Sequence, residues 1–152
     1  MAFIDLSDKI QTAKVLRAIE NAVTLDIQKM ALKIHERLRG NPPEGTPVDT
    51  GWASSNWIPS VGKADRATVG SKENVDQLAG GAGIAALMMW QLGDGQIFIV
   101  NNVPYIQALN NGHSQQSPSG FVDEAIEIAA ELAFGMGEEV RWGIEEIENK
   151  GT

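Results

Sequence analysis

The sequence predicts one domain that mixes helix and strand: a long amphipathic helix first, short strands between turns in the middle, and a second major helix near the end. Three observations carry this. Apolar residues recur at helical spacing from Ser7 to Arg39, a dense β-branched and aromatic run spans Gln96 to Asn101, and helical spacing returns after Gly120. A chain of 152 residues, 43% of them apolar, has material for a single core, so residues 1–152 are read as one domain.

In the first helix Ile10, Ala13, Leu16, Ile19, Val23, Ile27, Met30, Ile34 and Leu38 follow one another by threes and fours. Ser7 is the expected N-cap, Asp8 suits the positive end of the helix dipole, Lys33, Arg37 and Arg39 suit the negative end, and Gly40 stops the helix. Lys14, Arg17, Asn21, Gln28 and Glu36 mark the solvated face. The repeat lies nearer 3.6 than 3.5 residues, which favours a helix lying on a sheet over a coiled coil. Residues 40–47 hold three prolines and two glycines and read as an exposed, flexible loop. Val48 to Trp52 reads as a turn into a strand near Ser55 to Val61, with Ala67 to Gly70 as a candidate second strand.

Gly80 to Gly83 breaks the chain, Ile84 to Leu92 forms a short, well-buried helix containing Trp90, and Leu92 to Gly95 turns. Gln96 to Asn101 is the safest strand, expected to be covered on both faces. Val103 to Leu109 is a short helix or turn, and 110–118 is a second flexible polar loop. Phe121, Val122, Ala125, Ile126, Ala129, Leu132 and Ala133 define the last major helix; Gly135 and Gly137 weaken its continuation, so 136–152 reads as a separate, less ordered helix.

Composition excludes several functions. Twelve Lys and Arg against twenty Asp and Glu leave a net charge of −8, which opposes gripping nucleic acid. Such acidity aids solubility, and it would also let DNA pass along a channel wall without sticking. No cysteine is present, so neither disulfides nor thiolate metal ligands are available. The N-terminus lacks the pattern of a secretory signal and no stretch has the apolar length of a membrane span, so synthesis in the cytoplasm is expected.

Site chemistry is sparse. His35 and His113, the two histidines, lack metal-site spacing; His35 reads as a surface or helix-end residue and His113 as a loop residue. A serine relay through either histidine and an acid such as Asp49 lacks its Gly-x-Ser-x-Gly setting. Gly80 to Gly83 and Gly93 to Gly95 lack the remainder of a phosphate-binding motif, and Glu138, Glu139, Glu145, Glu146 and Glu148 read as a solvated helical face. No catalytic residue, metal ligand or cofactor site is therefore assigned, and an enzyme of small-molecule metabolism is the disfavoured alternative. A host-derived regulatory module is disfavoured too, for want of a basic face or recognition helix.

Of four tryptophans, Trp57 and Trp90 are assigned to the core, while Trp52 and Trp142 are candidates for contact with a neighbouring subunit. Asp49-Thr50-Gly51 is suited to a side-chain-to-backbone turn, and Pro104 ends a strand ladder whose freed groups Asn101 and Asn102 can satisfy. Ser119 is the expected cap of the last helix.

Four segments taken in order, Thr46-Pro47-Val48-Asp49-Thr50-Gly51 through Trp57, Ile97 through Asn101-Asn102-Val103-Pro104-Tyr105, Leu109 through Gly112-His113-Ser114, and Pro118-Ser119-Gly120-Phe121-Val122, resemble the phage tail-component family that includes minor tail protein Z-like tail-completion and neck proteins. The resemblance covers about residues 8 to 135. It departs from the family at Trp52, where a basic residue is frequent, and at Asn110-Asn111-Gly112, where an acidic or aromatic residue often precedes the glycine. It implies an α+β fold, a small antiparallel sheet packed against the long N-terminal helix and a C-terminal helix. It further implies a virion protein of the tail or neck that completes the tail and joins it to the connector of the filled head. Such a protein forms a homo-oligomeric ring, expected to be a hexamer, through which DNA passes without specific binding. Its partners would be the connector or head-completion protein and the tail terminator or tube protein; the allied role is the tail terminator itself, which sets tail length. Pro47, Asp49, Thr50, Trp52, Asn111, His113, Gln115, Gln116 and Trp142 are the candidate subunit-interface residues.

Overall fold

The computed structural model describes residues 6–68, 70 and 81–134. Helix α1 spans Leu6–Arg39, α2 Trp52–Ser55, strand β1 Ile58–Val61, α3 Gly81–Met89, β2 Ile97–Val100, α4 Ile106–Asn110 and α5 Phe121–Phe134. β1 and β2 pair antiparallel, Ile58 opposite Val100 and Val61 opposite Ile97. The fold is α+β, a small antiparallel sheet with a long N-terminal helix and a C-terminal helix.

α1 behaves in two ways along its length. Its second half packs most extensively on α5 and also meets α3, α2 and β2. The core beneath it is Leu38, Trp57, Phe121 and Ala125, with Ile34, Ile99, Ile106, Leu109 and Val122 against them. Its first half stands in solvent, where Ile10, Leu16 and Ile19 are each more than half exposed. The apolar repeat is thus continuous while its burial is not. Ser7 lies inside the helix rather than at its cap. Gln28, expected on the solvated face, donates to the carbonyls of Met88 (3.1 Å) and Trp90 (2.6 Å) and holds the end of α3 on α1.

His35 corrects the surface reading. It is 4% exposed, and its Nε2 donates to the Trp57 carbonyl at 2.9 Å. Burial lowers its pKa, the Trp57 hydrogen bond raises it, and the charge of Arg39 lowers it, for a net downward shift.

The 40–47 segment is the expected exposed loop only in part: Asn41, Pro43 and Glu44 are exposed, but Gly45, Thr46 and Pro47 are buried. The cause is the end of α1, whose last carbonyls need donors. The Thr46 N–H (3.1 Å) and hydroxyl (2.6 Å) both donate to the Leu38 carbonyl, and Trp57 Nε1 donates to the same hydroxyl at 2.8 Å. From the second polar loop, the Ser117 hydroxyl donates to the Gly45 carbonyl at 2.7 Å.

The first strand is shorter than expected because Ser55 belongs to α2. Gly51 turns the chain at φ 80°, and the Ser54 and Ser55 hydroxyls fold back onto its carbonyl, closing a single helical turn before Ile58. The proposed strand at Ala67 to Gly70 is irregular at 67, 68 and 70, and Val69 lies outside the described residues. Asn102 Nδ2 instead takes the carbonyls of Asp65 (3.1 Å) and Ala67 (3.0 Å).

α3 includes Gly81 and Gly83, which the sequence read as part of a break. A Cβ on Gly83 would collide with the Pro59 carbonyl, so glycine lets α3 lie directly against β1. Only Leu87 and Trp90 of this stretch are fully buried; Met88, Met89 and Leu92 are more than half exposed. Trp57 and Trp90 are in the interior, as expected. β2 is half-buried along its length rather than covered on both faces, since the sheet has two strands among the described residues.

The cap of α5 comes from Asn110, not Ser119. Asn110 Oδ1 accepts from Val122 N (3.0 Å) and its carbonyl accepts from Gly120 N (2.7 Å), so the end of α4 fixes the start of α5. The expected C-terminal helix at 136–152 lies outside the described residues, as does Trp142.

Candidate functional site: a loop-built contact face

The segments before α2, after α4 and at the start of α4 meet on one side of the molecule. Gln116 is the fastener. Its Oε1 accepts from Val48 N at 2.8 Å and its Nε2 donates to the Val48 carbonyl at 3.0 Å, so one side chain satisfies both backbone groups of an exposed residue as a neighbouring strand would. The Ser114 hydroxyl accepts from Gln116 N at 3.1 Å, and His113 is turned by Nδ1 donating to the Ala108 carbonyl at 2.8 Å.

On the other flank Trp52 and Tyr105 pack with ring centroids 5.9 Å apart at 57°. Asn101 Nδ2 donates to the Ala53 carbonyl at 2.8 Å while its Oδ1 accepts from Val103 N at 3.1 Å, which ties the end of β2 to α2 as the turn beyond the ladder requires. The Tyr105 hydroxyl has its pKa raised by partial burial and by the negative charge of Asp49, so it remains a neutral donor and acceptor.

Between these flanks lies a shallow cavity of about 150 Å³. Six of the nine expected interface residues line it: Pro47, Asp49, Thr50, Trp52, His113 and Gln116. Asn111 and Gln115 are exposed on the same loop but outside the lining, and Asn111 N closes α4 onto Gln107 and Leu109. Val48, Gly51, Ala53, Tyr105, Leu109 and Ser114 complete the wall and were not among the expected interface residues. All six lie in the resembling segments, and Tyr105 is also the one tyrosine in the chain, beside Pro104; which residues of those segments face the cavity depends on how the loops close.

An aromatic pair sits amid amide, hydroxyl, imidazole and carboxylate groups, the composition of a contact patch with a polar rim. His113 is committed to a backbone carbonyl rather than to a hydroxyl or carboxylate. A larger cavity of about 450 Å³ lies between the end of α1, residues 40–44 and α5, where Lys33 and Arg37 alternate with Glu36 and Glu44. Its balanced charges favour neither an anion nor a cation. Among the described residues no group of three or more His, Asp or Glu is placed to hold a metal ion, and no helix is long and apolar enough to cross a membrane.

Comparison of the chain with protein-family models, with curated proteins and with solved structures finds no match.

Proposed function

We propose that this chain is a structural virion protein of a long-tailed bacteriophage, one that completes the tail and joins it to the head connector as a ring around the DNA channel. The observation that supports this is the convergence of the four resembling segments. Ala53 to Asn101 and Trp52 to Tyr105 join the first segment to the second, Leu109 N to the Tyr105 carbonyl joins the second to the third, and Asn110 to Gly120 and Val122 joins the third to the fourth, while Gln116, between the last two, fastens Val48 of the first. A face ordered before its partner arrives loses little conformational freedom on docking, which suits a joint assembled once and kept. The net charge of −8 suits a channel that DNA traverses without adhering.

Electron microscopy of lysates from the parent phage with this gene disrupted tests the proposal. Separate DNA-filled heads and tails of normal length are expected. Overlong tails would assign the terminator role instead, and intact infectious particles would sink the virion reading.

A further inference from the structure

Two of the apolar features that stand open among the described residues are complementary. The first is the outer half of α1, where Leu16 and Ile19 are each 55% exposed and Val23 is 37% exposed. Their spacing puts them on one stripe, which continues along the helix through Ile27, Met30 and Ile34. The second is an apolar groove of about 310 Å³ beside the inner half of the helix. α1 lends it Ile27 and Met30, β2 lends Ile97 and Ile99, and α5 lends Val122 and Ile126, all half-buried.

The stripe cannot enter the groove of its own chain. Both belong to one unbroken helix, Leu6–Arg39, so the outer half runs on from the groove's wall and cannot fold back into it. A second copy meets no such limit. Charge points to the same occupant. From Leu6 to Val23 the outer half holds Lys9, Lys14 and Arg17 against Asp8 and Glu20, a net charge of +1 in a chain of −8. α5 holds Asp123, Glu124, Glu127 and Glu131 with no basic residue, and of these Glu124 is paired with Arg37 of its own chain at 3.5 Å. Asp123 and Glu127 each follow a groove residue by one position, about 100° round the helix, which sets them on the groove's rim.

We infer that the outer half of α1 of one copy seats in the groove of a second copy, with Leu16, Ile19 and Val23 inserted and the basic residues of that half against the acidic rim. Ridge and groove are different surfaces, so copies add head to tail, and a closed ring results where the rotation between copies closes. The inference rests on the ring-forming reading and assigns its subunit contact.

The test uses the full chain with the photo-reactive residue p-benzoylphenylalanine in place of Ile19. Irradiation is expected to yield intermolecular adducts to peptides containing 97–100 or 121–127, increasing with protein concentration. Adducts within one chain, for example to 135–152, or no adduct at all, would overturn the inference. Sedimentation supplies a second readout. Ile19→Glu and Ile126→Glu should each weaken self-association on the order of 100-fold, yet an equimolar mixture should form a dimer, because one intact ridge and one intact groove remain. A mixture that stays monomeric while both variants keep the wild-type circular dichroism would overturn it; if Ile126→Glu does not fold, the adducts decide. Failure of the contact is separable from failure of the virion reading. Absent adducts with a disrupted gene that blocks assembly discard this interface alone, whereas adducts as expected with intact particles discard the virion role alone.

Discussion

Replacing Thr46 by valine keeps the shape of the side chain and removes its hydroxyl, at a position 0% exposed where that hydroxyl does two jobs. It accepts from Trp57 Nε1 at 2.8 Å and donates to the Leu38 carbonyl at 2.6 Å. The two losses are unequal. Leu38 keeps the Thr46 N–H as a donor at 3.1 Å, so its share is that of one ordinary hydrogen bond, about 1 kcal/mol. Trp57 is left with a buried donor and no acceptor, a cost of about 1–3 kcal/mol. A total of roughly 2–4 kcal/mol follows, which lowers the melting temperature of a domain this size by roughly 5–15 °C. Thr46→Ser removes one methyl group and keeps the hydroxyl, costing about 1 kcal/mol. In a Trp57→Phe background, where no indole donor remains, the valine substitution should cost only about 1 kcal/mol. Urea unfolding followed by circular dichroism measures the wild type, the two Thr46 variants, Trp57→Phe and the double variant. A serine variant less stable than the valine variant, or a valine effect undiminished by the Trp57→Phe change, would refute the reasoning.

Three further outcomes follow from the same kind of accounting. His35 has its pKa lowered on folding, so the unfolded chain binds the proton more tightly; the stability it contributes is whole above about pH 6.5 and declines as pH falls through that value towards the lower folded one. Urea midpoints should drop between pH 8 and pH 5.5 more steeply for the wild type than for His35→Gln, which can still donate to Trp57 without titrating, and equal slopes would count against the assignment. Gly83→Ala should destabilise by about 1–3 kcal/mol although alanine normally gains about 1 kcal/mol over glycine in a helix, because its Cβ meets the Pro59 carbonyl; a raised thermal midpoint would contradict that packing. Asn110→Ala should cost about 1 kcal/mol through loss of the α5 cap, while Ser119→Ala should stay within about 0.5 kcal/mol, and the reverse order in thermal melts would restore Ser119 as the cap.

Periodicity revealed the elements more surely than their surroundings. The C-terminal end of α1, the start of α5 and the core placement of Trp57 and Trp90 were legible, because spacing and residue type act locally. His35 was not. Its burial depends on Trp57 presenting a carbonyl from 22 positions away, and nothing beside it in sequence announces that partner. Residues 45–47 misled for a related reason: prolines and glycines forbid regular structure but do not forbid burial when a helix end needs donors. Gly83 read as a break because glycine disfavours helices, yet here it answers a close approach that only the folded chain contains. At the cavity beside α2 the polar and aromatic residues of two loops were singled out from the sequence and six of the nine line it, whereas the fastening of Val48 by Gln116 and the pairing of Trp52 with Tyr105 required the closed fold.

The unbroken course of α1 has a consequence for how this chain can vary. Each residue added to a helix turns everything beyond it by about 100°. A single insertion between Val23 and Ile27 would therefore aim Leu16 and Ile19 away from the direction set by the buried half. Seven inserted residues would return them to within about 20° of that direction and extend the helix by about 10 Å. Lengthening of this arm is thus quantised: variants that keep its aim should differ in near-heptad steps, while the turn at 40–47, anchored by backbone and hydroxyl bonds, leaves no slack to correct any other phase.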